Sequence, residues 1–345
     1  MCSLQLIVNF AKIMKLTHST IKLFILLLLL IVVSIVALML GSQYISLNTL
    51  LEGSQSPAGR VLWQHRLPHV LGALVVGSSL ALSGNYMQVI FRNPLAGPSV
   101  LGITGGASLA MAVIFLTSWG ATWFLNAGTW ALFIPAFIGA MLVLTLLLII
   151  QRKLPMASTL LVVGLLFSHF TGAIESILQK MAGANNVNQL VVWGMGSMDG
   201  ITLKQLPWLF AGAFIPFIPT FYFLRKLNAF AMGEQIAATS GVDVVKLRWV
   251  FLIAVGISTA TITAFCGPIA FIGLMAPHVA RLFIRTFNQL QLIFFIPVVG
   301  ALLLVIADAL SRYYALPLNA VTAAIGIPCV FYIVFNPKRS GVWIS

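Results

Sequence analysis

The chain has 345 residues, 60% of them hydrophobic and only 7% charged, against about 25% charged in soluble domains. With a mean hydropathy of +1.06, that composition excludes a soluble enzyme and identifies a polytopic membrane protein without a large extramembrane domain. The net charge of +13 comes from dispersed Lys and Arg rather than a basic face interleaved with aromatics, so it reads as loop charge and not as a nucleic-acid surface.

In chain order, residues 1–22 carry Lys12, Lys15 and Lys22 and no acid, the signature of a cytoplasmic N-terminal segment. Residues 23–40 follow with Ser34 as their only polar member, a run long enough to span as a retained anchor. A loop is expected over 41–68, holding Glu52, Arg60, His65 and Arg66. Further spans are expected near 69–90, 99–118, 129–150, 158–181, 206–224, 249–266, 269–284, 292–310 and 319–335. The piece at 269–284 is short and is interrupted by Gly267-Pro268 and Pro277-His278, as in a broken helix lining a cavity. The whole reads as an all-α fold of ten spans, one transmembrane domain over 23–336 with a cytoplasmic tail at 337–345. With the N-terminus inside, fourteen of the nineteen Lys and Arg fall on the inner side and five on the outer, so loop charge favours N-in and C-in.

Residues 225–248 form a long polar interruption in the apolar C-terminal two-thirds. Arg225 and Lys226 precede it and Lys246 and Arg248 close it, with Glu234 and Asp243 inside. The run from Glu234 to Gly241 suits a short helix stopped by a left-handed glycine, and Asp243 suits the cap of the next helix. On the inner side of a membrane, a helix, a glycine corner and a helix present a surface that a partner can grip; an ordinary amphipathic loop fits the same residues.

Catalytic and metal motifs are weak. There is no P-loop pattern, and Gly194-Met-Gly196-Ser-Met-Asp-Gly200 is one residue too long for a dinucleotide fingerprint. His65 and His69 are four apart, but Pro68 between them disfavours a helical metal pair. His169 and His278 stand alone in apolar runs and are expected to be buried, hydrogen-bonded side chains. Cys2, Cys266 and Cys329 are far apart and suggest neither a disulfide framework nor a metal site. Glu175 lies towards the outer end of a span, and Asp308 can pair with Arg312 at i,i+4. The scarcity of intramembrane acids counts against an ion-coupled secondary carrier or channel acting alone. Gly77 with Ala81 offers a small face for close helix packing, and Gly97-Pro98 suits a helix start.

Several stretches in matching order resemble the FecCD family, the permeases of ABC importers for iron-siderophore, haem and cobalamin. They are Arg66-Leu-Pro-His69, Leu82-Ser-Gly-Asn-Tyr-Met-Gln88, Phe91-Arg-Asn-Pro-Leu-Ala-Gly-Pro98, Leu101-Gly-Ile-Thr-Gly-Gly106 and Val192-Trp-Gly-Met-Gly-Ser197. Gly233-Glu-Gln-Ile-Ala-Ala-Thr-Ser-Gly241, the run from Gly267-Pro268 through Pro277 to Arg281, Ala307-Asp308 and Gly326-Ile-Pro328 complete the set. The resemblance spans roughly residues 60 to 335.

That resemblance implies a non-enzymatic permease subunit of the inner membrane that pairs with a second copy, most simply as a homodimer. Two ATPase subunits would bind inside and a periplasmic or lipid-anchored binding protein outside. It implies no cofactor and no metal ligand in this chain, with ATP-Mg held by the ATPase. The substrate would be a chelate, with a ferric siderophore as the first expectation and haem or cobalamin as alternatives. Coupling to the ATPase falls to Glu234, Ala237, Ala238, Gly241 and Asp243, with Glu234 at a helix N-terminus or against a basic ATPase residue. Docking of the binding protein falls to Arg66, His69 and Arg312, His69 replacing a second arginine. The pathway or gate falls to Asn93, Leu95, Gly267, Pro268 and Pro277, although Asn93 also fits a simple Asn-Pro turn.

Overall fold

The computed structural model describes residues 2–41, 56–117, 120, 123, 130–152 and 157–335, and among these the regular structure is helical throughout. Glu52 and the tail at 337–345 lie outside the described residues. Helix α1 is Cys2–Met39, so the expected N-terminal segment and the first span form one continuous helix. Helix α2, Pro57–Phe91, starts well before residue 69. The expected loop there is partly helical because Ser56 caps the first turn, accepting from the Gly59 amide at 3.0 Å, and Pro57 occupies the first helical position. Residues Leu62–Arg66 form a π turn inside it.

A 3-10 turn over Pro98–Leu101 leads into α3, Ile103–Leu116, followed by α4, Phe133–Gln151, and α5, Ala157–Met181. A short helix α6, Ala184–Gly194, was not expected. Its sequence alternates asparagine and glutamine with a few apolar residues, so no hydropathy window flags it. Helix α7, Leu206–Met232, is broken at Pro216. After it come α8, Glu234–Thr239, α9, Val244–Cys266, α10, Ile272–Ile284, α11, Gln289–Tyr314, and α12, Leu318–Phe335. Among the described residues, seven helices are long and apolar enough to cross a membrane, and α3, α10 and α12 are shorter apolar helices.

Packing is organised on α2, which lies against α10 and α11, with α7 and α9 on its other sides. Helices α2 and α11 both feed all three buried apolar clusters. Small residues allow this. A Cβ on Gly77 would stand 2.4 Å from the Gly300 carbonyl of α11, and one on Gly84 would stand 1.7 Å from the Gly273 carbonyl of α10. In a membrane, where apolar burial against lipid gains little, such backbone contact is what holds helices together. The Gly273 carbonyl lies four residues before Pro277, whose ring nitrogen has no hydrogen to give it. The expected Gly77–Ala81 face is thus observed, with Gly300 as its counterpart.

Candidate functional site

The polar stretch 225–248 folds as a tight corner. Helix α7 ends at Gly233, whose φ of 139° bars a side chain, and α8 begins with Glu234. Gly241 takes φ 76° past the end of α8, and the Asp243 carboxylate accepts from the Lys246 amide at 2.9 Å to cap α9. Both features follow the sequence expectation. Ala237 is fully buried and roots the corner in the core, while Ala238 faces outward. Exposed apolar side chains Met232, Ile236 and Val245 flank it.

Glu234 stands at the N-terminus of α8, as expected, and makes a further contact that the sequence did not show. Its Oε1 accepts from Arg248 Nη2 at 2.9 Å, an ion pair across the corner between α8 and α9. Arg248 is buried, so its charge needs this partner, and Glu234 locks the corner before any second protein arrives.

The C-terminal end of α2 carries a buried polar network. Arg281 of α10 donates from Nη1 to Gln88 Oε1 at 2.7 Å and from Nη2 to Asn85 Oδ1 at 2.8 Å. Asn85 Nδ2 donates to Gln289 Oε1 at 2.8 Å, and the Gln289 amide donates to Asn228 Oδ1 at 3.0 Å. Gln88 Nε2 donates to the Leu274 carbonyl at 3.0 Å. Asn85, Gln88, Arg281 and Gln289 are all buried, yet among the described residues no carboxylate pairs with Arg281.

The loop after α2 sits on this network. Its first residue, Arg92, takes a left-handed φ of 47°. The Asn93 side chain accepts from the Leu95 amide at 2.9 Å, so Asn93 does form the local Asn-Pro turn, and Leu95 at its tip is exposed. Buried His278 bonds the Pro94 carbonyl at 2.8 Å through Nε2, the hydrogen-bonded role expected of it.

At the opposite end of α2 the three expected docking residues do come together, but around the end of α1. Arg66 Nη1 donates to the carbonyls of Leu38 and Met39 at 3.0 and 2.7 Å. Arg312 donates to Ala37 and Leu40 at 3.2 and 3.3 Å and pairs with Asp308 at 2.9 Å, the expected i,i+4 contact. Two guanidinium groups therefore satisfy the carbonyls that the C-terminus of α1 leaves over. His69 is also buried, between the carboxylates of Asp199 at 3.5 Å and Asp308 at 3.6 Å. Arg66 and His69 are thus spent on internal contacts, and the exposed charge beside them is Asp199. A cleft of about 500 Å³ opens over this cluster.

Between α9 and α10 the chain breaks at Gly267, where φ is 68°. Asn319 of α12 clips the break, donating to the Pro268 carbonyl at 2.7 Å and the Gly194 carbonyl at 3.2 Å, and accepting from the Ala270 amide at 3.0 Å. The Ser197 amide donates to the Cys266 carbonyl at 2.8 Å. Gly267 lines a cleft of about 910 Å³ together with Trp193, Phe133 and Gln205. Pro277 lines neither of these two larger clefts; it is packed inside α10. Asn319 was not singled out from the sequence, where a lone Asn at a helix start reads as a cap.

Helix α5 is mostly uncovered, and His169, expected to be buried, is exposed on it. The helix sets His169, Ala173, Ser176 and Lys180 on one exposed stripe. Polar groups on a spanning helix face protein or water rather than lipid, so this stripe needs a cover.

The profile of the FecCD transport family matches residues 27–336. The chain belongs to the FecCD transport family. It is 34% identical to the vitamin B12 import system permease protein BtuC of Yersinia enterocolitica, over 82% of this chain and 84% of that one. It is 31% identical to a protein of Helicobacter pylori named as a probable iron chelatin transport system permease, over 89% and 96% of the two chains. Among solved structures, an inward-facing metal-chelate type ABC transporter superposes with a TM-score of 0.78 at 28% identity, covering 91% of this chain and 98% of that one. PsaBC from Streptococcus pneumoniae shares the fold, with a TM-score of 0.58 at 15% identity, covering 85% and 98%. This FecCD protein is therefore the permease subunit of an ABC importer in the inner membrane, not an enzyme, and ATP hydrolysis belongs to a separate subunit. Its partners are an ATPase and a substrate-binding protein.

Proposed function

We propose that two copies of this permease enclose a pathway for a bulky iron chelate, a ferric siderophore, and open it alternately to the two sides of the membrane. The observation that carries this reading is the corner at Glu234 to Asp243, which joins a rigid internal lock to an exposed apolar surface of Met232, Ile236 and Val245. A partner that closes on this surface moves α7 and α9 as levers, because buried Ala237 and the Glu234–Arg248 pair tie α8 to the core and to α9. Ala237, Ala238, Gly241 and Asp243 serve as the seat. ATP-Mg is held by the ATPase, and this chain holds no cofactor.

Ten spans with both termini inside place the corner in the cytoplasm, in keeping with the loop charge. The polar stripe of α5 supports a wet pathway shared with a second copy, hence a homodimer. Asn93 and Leu95 form the inner mouth of the pathway, and the break at Gly267 and Pro268 frames its outer part, with Pro277 acting as a kink rather than a lining residue. The cluster of Arg66, His69 and Arg312 forms the floor on which a binding protein docks, with contacts worth about 0–1 kcal/mol each that set orientation rather than affinity.

The iron chelatin relative and the metal-chelate transporter support an iron chelate as substrate. A second reading, cobalamin, is favoured by the B12 permease relative. Proteoliposomes holding the permease, its ATPase and its binding protein separate them. ATP-dependent accumulation of labelled ferric hydroxamate or catecholate is expected. Accumulation of cobalamin instead selects the second reading, and gradient-driven uptake by this chain alone overturns the importer mechanism.

A further inference from the structure

The buried network at the inner end of α2 has a feature that packing does not explain. A guanidinium buried to 6% exposure is held by two neutral amides, on residues 85 and 88, with no acid among its described partners. A carboxylate would bind it more strongly and fix it in place. Amide oxygens satisfy the donors without a counter-charge, and the amide groups pass the contact on, Asn85 to Gln289 and Gln88 to the Leu274 carbonyl. The bonds also lie on a continuous path. It starts at Asn228, on the last turns of α7 just ahead of the corner. From there it runs through Gln289 at the start of α11 and Asn85 on α2 to Arg281 on α10. It ends on Gln88, next to the Arg92–Pro98 loop that His278, on the same helix as Arg281, holds by the Pro94 carbonyl.

We propose that Arg281, with Asn85, Gln88, Gln289 and Asn228, is the positioning element that transmits movement of the corner to the inner-mouth loop carrying Asn93 and Leu95. Contiguity alone does not make a relay. Here the physical warrant is the fork of Arg281, which ties α10 to two residues of α2 one helical turn apart, beside the Gly84–Gly273 backbone contact, so that the two helices are displaced together. This inference rests on the reading of the corner as the ATPase seat.

The test uses the permease–ATPase complex, with ATP-Mg and vanadate as the probes and spin labels in a background where the three cysteines are serine. Labels at Tyr313→Cys and Lys246→Cys report the corner, and labels at Tyr313→Cys and Leu95→Cys report the mouth. In the wild-type background both distances should shift on vanadate trapping. Arg281→Lys keeps the charge but loses the two-pronged fork. It should leave the corner shift intact and abolish most of the mouth shift. A general loss of structure would disturb both distances, so the split is the signature of a relay. Asn228→Ala removes one bond of the path and supplies the same readout if Arg281→Lys does not assemble. Equal mouth shifts in the variant and wild-type backgrounds overturn the relay. If neither distance responds to nucleotide in the wild-type background, the fault lies with the reading of the corner instead.

Discussion

The two ends of helix α2 solve the same problem in opposite ways. At the outer end, Arg66 and Arg312 are fixed by main-chain carbonyls and by the Asp308 carboxylate, and His69 is wedged between two acids. At the inner end, Arg281 has only amide oxygens. An ion pair whose members are both largely buried resists separation, since either charge left alone would be stranded. A cation on amides has no such counter-charge to lose. The end at Arg66 is built as an anchor of charges and the end at Arg281 as a neutral joint between four helices.

The largest expected effect comes from breaking the anchor. Asp308→Ala leaves Arg312 and His69 without their shared carboxylate and should lower stability by about 3–5 kcal/mol, read as thermal unfolding of the purified permease in detergent. An effect below that of any inner-end variant would reverse the comparison. Arg281→Met at the joint should cost less, about 1–3 kcal/mol, because it orphans two amide oxygens but also removes a buried charge. Measured in the same melts, a cost equal to that of Asp308→Ala would show that the inner end is an anchor too.

Legibility in the sequence followed distance along the chain. The spans, the Gly241 corner, the Asp243 cap and the Asp308–Arg312 pair were readable because each is written within a few residues. The inner network was not, since its partners lie 193, 196, 204 and 61 residues apart and consist of amides that no charge pattern marks. Arg66 was read as an outward docking charge because nothing local shows that its acceptors are carbonyls 27 and 28 residues earlier. Glu234 was read correctly as the first residue of its helix, but its partner was missed for the same reason: Arg248 is fourteen residues on, beyond one helix and across a turn. His169 was taken for a core residue because hydropathy marks a helix as membrane-spanning without saying which face its neighbours cover.

At the corner itself the expected effects are smaller. Glu234→Gln keeps the shape and loses the ion pair, and because Glu234 is partly exposed the cost should be about 1 kcal/mol or less. The seat should loosen more than the fold does. Recovery of the ATPase with the permease should fall while the melting curve hardly moves, and unchanged recovery would mean that the pair is not what stiffens the corner.

Gly241→Ala isolates the smallest term. No atom lies within 4 Å of the Cβ it would add, so the only cost is holding an L-residue at φ 76°. That cost is about 1 kcal/mol. The chain already accepts it at Arg92, Arg285 and Ala315, each left-handed after a helix, so the fold tolerates the geometry without glycine. What distinguishes residue 241 is the helix it ends: α8 has six residues, with little packing beyond Ala237 to hold a strained end, whereas the helices before Arg92, Arg285 and Ala315 are much longer. Limited proteolysis around 239–244 should therefore quicken in Gly241→Ala, by about fivefold for a 1 kcal/mol penalty. Gly241→Asn, which tolerates the left-handed region better, should recover most of the difference. Equal cleavage in all three proteins would mean that α8 is held by contacts other than its own caps, and that the inner end is stiffer than its short, locally capped helix implies.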